Sequence, residues 1–196
     1  MTESGTIAPS PRLLRDGRIL SAVAALCLTV AVLVDALMIG AMALRSEQAG
    51  LSHGGFAFLP GLGEVAIADG ADPPFTPIRH FPVLQSSLAA ALLALRLLPG
   101  LVMLWSLMRL FGLYGRGEVF TNRAEGYVRT IAWALLGYAI VPLITHAALF
   151  AAQMSQTALK LEVRQLDALV AGLILLAITR VVSFGSAIDR DRRGFV

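Results

Sequence analysis

The chain has 196 residues and a formal net charge of +3, yet 57% of it is hydrophobic and only 15% is charged. Soluble domains carry about 25% charged residues, so this composition excludes an ordinary water-soluble globule and leaves room for a single domain. The basic residues are nearly all arginines, dispersed beside apolar stretches and not interleaved with stacking aromatics. That pattern argues against direct nucleic-acid binding and fits arginines retained on one side of a membrane.

Residues 1–18 read as a cytoplasmic tail. Its small, polar, proline-bearing start is expected to be disordered, and Arg12, Arg15 and Arg18 precede the first apolar stretch. Four such stretches follow, at about 19–44, 83–110, 131–152 and 166–184. Within solid apolar runs, length distinguishes helix from strand. Each of these covers the roughly 20 residues that a helix needs to cross the hydrocarbon. The predicted fold class is therefore an all-α membrane protein, a four-helix transmembrane bundle with the lipid bilayer as its first partner. A loop of about 38 residues, 45–82, joins helices 1 and 2 on the extracytoplasmic side.

Orientation follows from the arginines. Arg109, Arg116, Arg123 and Arg129 crowd the second junction, and Arg180, Arg190, Arg192 and Arg193 close the chain in a basic tail over 186–196. An even number of spans places all the basic regions on one side, so both termini are expected in the cytoplasm. Ala41-Met42-Ala43 has the form of a signal-peptidase site, but the apolar run before it is long for a signal peptide and Asp35 interrupts its end.

The 45–82 loop reads either as a solvated connector or as a cap that contacts a ligand. Glu64 to Gly70 alternates apolar residues and ends in Asp-Gly, a strand-and-turn signal, and Pro73, Pro74, Pro77 and Pro82 delay the next helix. At the second junction, Gly115 and Gly117 flank Arg116 and break the helix. Thr121 or Asn122 is placed to cap the next one, and Asn122 with Glu125 has capping-box spacing.

A more specific string runs through this region: Leu95-Arg96-Leu97-Leu98-Pro99-Gly100, then Arg109-Leu110-Phe111, then Tyr114-Gly115-Arg116-Gly117-Glu118-Val119-Phe120-Thr121, with Trp133 beyond. Together with the closing Leu175 to Val181, it resembles the bacterial membrane family catalogued as domain of unknown function 2975. The resemblance covers roughly residues 45–190. It implies a small four-helix inner-membrane protein. Members are often encoded beside small helix-turn-helix regulators, so it also implies such a cytosolic regulator as a partner. It carries over no catalytic or binding residues.

Charged and polar groups within spans are costly, by about 2.5–3.5 kcal/mol at a helix centre, and are functional candidates for that reason. Asp35 and Arg96 fall at similar depths on the first two helices and are expected to pair as an interhelical lock. His146, one turn after Pro142, is expected to pack by hydrogen-bonding a carbonyl near the proline. With His53 and His80, it matches no metal-site spacing. No cofactor is implied, and the single cysteine, Cys27, allows no disulfide or CxxC pair within the chain. Ala36-xxx-Gly40 and Ala168-xxx-Gly172 offer small-residue faces for packing or self-association, the first more strongly.

No HExxH, GxSxG, Walker loop or GxGxxG occurs. The expectation is a non-enzymatic regulatory or accessory protein whose partner surface is Arg109, Arg116, Glu118, Arg123 and Arg129. The alternative is a small transporter using Asp35, Arg96 and His146.

Overall fold

The computed structural model describes residues 11–52, 55–58, 75–118, 121–155 and 161–193, with side chains over 14–181 of these. Four long helices dominate: α1 Pro11–Ala43, α2 Val83–Tyr114, α3 Asn122–Ala151 and α4 Val163–Arg193. Three of them, α1 to α3, are long and apolar enough to cross a membrane. Their large apolar side chains point outward along the whole length, among them Leu26, Leu33 and Leu37 of α1 and Ile140 and Ile144 of α3. In water this surface would be prohibitive. Against lipid it is the expected one, because the hydrophobic effect no longer drives such residues inward.

Helix α1 begins at Pro11, so the arginines at 12, 15 and 18 lie on its first turns and not in an irregular tail. Proline suits that position, since the first amides of a helix lack intrahelical acceptors in any case. Each helix packs chiefly on its neighbours in sequence, α1 on α2, α2 on α3 and α3 on α4. The bundle is thus open, a row with α1 and α4 outermost.

The α1–α2 seam is built from small residues, though not the predicted ones. A Cβ on Gly17 would lie 2.5 Å from the backbone nitrogen of Gly115, and the Ser21 hydroxyl donates to the Met108 carbonyl at 3.1 Å. Ala36 is exposed and Gly40 has nothing within 4 Å of its Cβ position, so the Ala36-xxx-Gly40 face makes no close approach here. The less exposed positions of α1 run Gly17, Ser21, Ala24, Leu28, Ala31, Asp35, Met38, Met42. This alternation of four and three is the 3.5-residue period of a left-handed helix pair.

The other two contacts follow the same logic. Gly137 of α3 sits against the ring of Pro99 in α2, its Cβ position 3.5 Å away. On α4, Ala168-xxx-Gly172 does pack: a Cβ on Gly172 would meet the Ala132 carbonyl and the Leu136 side chain at 3.1 Å.

The hairpin end carries a feature the all-α expectation lacked. A three-stranded antiparallel sheet, in the order β2-β1-β3, forms from β1 Ala49–Ser52, β2 Gly55–Phe58 and β3 Thr76–Pro77. Ala49 pairs with Phe58 and Ser52 with Gly55. The stretch 64–70, expected as strand and turn, lies outside the described residues. One 3-10 turn, Ile78–His80, follows Pro77 directly, so the prolines delay only the α-helix. Ala49, Leu51 and Ile78 are buried with Met42, Leu93 and Leu149, so the described part of the loop is a packed cap and not a solvated connector.

Three helix ends close by the same device. In a Schellman motif, two amides beyond the helix return to its last carbonyls, and the residue between them takes a left-handed conformation. Gly117 (φ 81°) does this for α2, where Glu118 N–H bonds the Leu113 carbonyl at 3.0 Å. Arg45 (φ 57°) and Gln153 (φ 57°) do it for α1 and α3 without the freedom of glycine. Arg45 is held there by its own side chain: Nη2 donates to the Arg79 and Phe81 carbonyls at 2.6 and 2.7 Å, clamping the 3-10 turn onto α1. An Arg79–Glu47 ion pair lies alongside.

Two predictions follow from these contacts. Gly17→Leu is expected to destabilise the protein by about 1–3 kcal/mol, because the clash is with backbone, while Gly40→Ala leaves thermal melting in detergent unchanged. Equal effects of the two would overturn the assignment of the seam. Arg45→Ala is expected to cost about 2 kcal/mol through lost charge-assisted hydrogen bonds. Arg45→Gly should cost less by about 1 kcal/mol, since glycine relieves the left-handed strain, and the same melting assay ranks them.

Candidate functional site

The polar groups within the helices do not converge. Gly17 opposes Gly115, and α1 and α2 run antiparallel. A rise of about 1.5 Å per residue therefore brings Asp35 level with the turn of α2 that carries Arg96. The predicted depth is right, but the lock does not form. Ion pairs among the described residues join Arg15 to Asp16, Arg79 to Glu47 and Arg164 to Glu162, and none joins Asp35 to Arg96. Asp35 lies on the α1 stripe facing α2, whereas Arg96 is half-buried and lies within the electrostatic reach of Glu162, Arg164 and Tyr138. Its long side chain allows it to serve charges at the start of α4.

His146 is 2% exposed. Its Nδ1 lies 2.9 Å from the Pro142 carbonyl, which also accepts from the Thr145 hydroxyl at 2.9 Å. The carbonyl used is the proline's own, and not the one a turn earlier that its missing N–H leaves free. A carbonyl only accepts, so Nδ1 carries the hydrogen and Nε2 is the bare nitrogen. Nε2 has no hydrogen-bond partner. It faces the cap: the Cβ position of Gly55 is 3.5 Å from it. Ser106, fully buried in α2, also has an unpartnered hydroxyl. His80 is exposed on the 3-10 turn, His53 lies outside the described residues, and no cluster of three or more metal-ligating side chains occurs among the described residues.

The predicted partner surface is better assembled. After the glycine-closed end of α2, Arg116 is exposed on the turn and Glu118 is half-buried. The Thr121 hydroxyl accepts from the Ala124 amide at 3.2 Å, so threonine caps α3, and the Asn122–Glu125 box is not the cap used. Glu125 still stands in the first turn, where a negative charge favours the helix dipole. Arg123 and Arg129 are exposed on the following turns. On α2, the Arg109 guanidinium sits 5.5 Å over the Trp105 ring, and Trp105 meets Tyr127 of α3 edge-on at 6.0 Å. Arginine, tryptophan and tyrosine thus tie the two helices together beside the turn. A second role for glycine was not legible in the sequence: Gly115 is right-handed and its importance is space, with Arg18 Cγ 3.0 Å from its Cβ position.

This string, from the proline of α2 through the arginine-bearing turn and into α4, lies within a region that matches one family profile. The match, to the family described as "Protein of unknown function (DUF2975)", covers residues 63–191. The chain belongs to the DUF2975 family. No curated protein and no solved structure matches it. The part of the DUF2975 match described here includes α2, α3 and most of α4, together with β3. Strands β1 and β2 and helix α1 precede it.

The orphaned nitrogen yields a direct test. His146→Leu is expected to shift stability by less than about 1.5 kcal/mol. It removes an unsatisfied buried acceptor along with one bond to a carbonyl that keeps other partners. His146→Ala, which opens a cavity beneath the hairpin, is expected to cost more. Thermal melting of both variants, with the larger loss in leucine, would contradict this account of the residue.

Proposed function

We propose that this DUF2975 protein is a non-enzymatic regulatory or accessory protein of the bacterial inner membrane. It would cross four times with both termini in the cytoplasm and present the turn between α2 and α3 to a cytosolic partner. The observation that carries the reading is the construction of that turn. It is closed by Gly117 on one side and capped by Thr121 on the other, and it holds Arg116 and Arg123 outward, with Arg109 braced on Trp105.

As the fourth span, α4 has 31 residues, or about 46 Å at 1.5 Å per residue. Its apolar stretch packs on α3. Support for the orientation comes from the arginines at the start of α1, at the α2–α3 junction and at the end of α4, which all share one end of the row. The family resemblance suggests a small helix-turn-helix regulator as the partner. Among the described residues no nucleophile and base stand side by side, and the transporter alternative requires polar groups that hand a charge or solute across. Asp35, Arg96 and His146 face three different surroundings.

Reporter fusions after residues 18, 60, 118 and 196 test the topology, with cytoplasmic signals expected at all but 60. In-cell crosslinking from the turn is expected to capture a specific cytosolic protein. Arg116→Glu with Arg123→Glu is expected to reduce that capture at least about tenfold, as like-charge juxtaposition at an interface costs several kcal/mol, at unchanged membrane abundance. Recovery of no specific partner, or capture indifferent to both reversals, would reject the role.

A further inference from the structure

A groove of about 640 Å³ opens between α3 and α4, lined by Arg129, Thr130 and Trp133 on one side and Leu176, Ala177 and Arg180 on the other. Its position is set by Gly172, where α4 approaches the α3 backbone most closely of the contacts described above. Leu176 lies one turn and Arg180 two turns from that pinch, toward the end where the arginines gather. On α3, Arg129 and Trp133 are one turn apart on the same face. The two guanidinium groups therefore stand at the rim, while the indole, Leu176 and Ala177 form an apolar wall extending inward.

None of these six described lining residues is a carboxylate. Trp133 is 61% exposed and lies one turn beyond Arg129, where the topology proposed above puts the membrane interface that indoles favour. A guanidinium presents a planar fork suited to phosphate oxygens, and basic pockets between spans at this side of a membrane suit phosphate-bearing headgroups. A free anion would use the rim and ignore the apolar wall. A zwitterionic lipid would use the wall and bring its own cation to the arginines.

We propose that this groove binds an anionic phospholipid, with its phosphate held between Arg129 and Arg180 and an acyl chain lying along Trp133, Leu176 and Ala177. The inference rests on the membrane reading above. The site links α3 to α4, so an occupied groove also fastens the outermost helix of the row to its neighbour.

The test uses the full chain carrying Trp105→Phe, which leaves Trp133 as the only indole of the two. It is placed in nanodiscs of phosphatidylcholine containing the same minor fraction of either phosphatidylglycerol or phosphatidylcholine with brominated acyl chains. Brominated phosphatidylglycerol is expected to quench Trp133 with an apparent preference on the order of tenfold or more, since each of the two arginines near the surface attracts anionic lipid about fivefold. Arg129→Gln with Arg180→Gln should reduce the preference to that of the neutral lipid. Arg129→Lys with Arg180→Lys should retain part of it, and Arg116→Gln, which removes a comparable charge elsewhere, should leave it intact.

Equal quenching by the two lipids would overturn the proposal. So would a preference that survives the double glutamine variant, or one lost equally in Arg116→Gln, which would denote diffuse surface charge. Release by inorganic phosphate beyond that by chloride of equal ionic strength would reassign the groove to a free anion. A chain that stays in plain buffer and never enters the nanodisc would instead remove the membrane reading itself.

Discussion

The last carbonyls of a helix have no partner within it, and the way this chain supplies one shapes the fold. Three described ends do so in the same way, by folding two amides back through a left-handed residue. Where Gly117 takes that place, the turn costs little. Where Arg45 takes it, the strain is offset by what the side chain does next, reaching across to two carbonyls before α2. The helix end and the cap are therefore one construction. The hairpin sheet, the 3-10 turn and the buried Ile78 all depend on the chain leaving α1 in that direction.

Within the bundle, association relies on closeness of backbones, because lipid-facing leucines gain nothing by pairing with one another. Gly17 against Gly115 and Gly172 against the Ala132 carbonyl are the closest approaches. Both lie where helices need to be held along their length without a hydrophobic core of ordinary density. The buried side chains gather in two clusters, one beneath the cap around Leu93 and Leu149 and one around Leu110, Leu113 and Ile131 near the arginine-bearing turn. Packing is thus concentrated at the ends, and Gly137 rests on Pro99 between them.

The sequence made some of this readable and hid the rest for definite reasons. The helices were legible from apolar length alone, and α2 begins at Val83, where its apolar run begins. Threonine capping of α3 and the packing of Gly172 were legible from residue type and spacing. The cap was not, because Ala49–Ser52 and Gly55–Phe58 are four-residue strands rich in glycine and alanine, with weak alternation. Nor was the true α1 seam: Gly17 lies among arginines outside the apolar run, where small-residue motifs are not sought. Depth along a helix can be counted, and it puts Asp35 within about a turn of Arg96. Which way each side chain turns depends on neighbours that spacing does not specify, so the pair was misjudged. His146 shows the converse, since its backbone partner is local while its free nitrogen points to a hairpin ninety residues earlier.

Pro99 and Gly137 deserve a last remark as a matched pair. A proline inside a helix cannot donate to the carbonyl one turn back and bends the helix at that point, and here its ring rests in the space that the missing side chain of Gly137 leaves. The two positions are consequently coupled in size. A Cβ at 137 would lie 3.5 Å from that ring, an ordinary contact, so alanine fits beside the proline, while a bulkier residue has room only once the proline has gone.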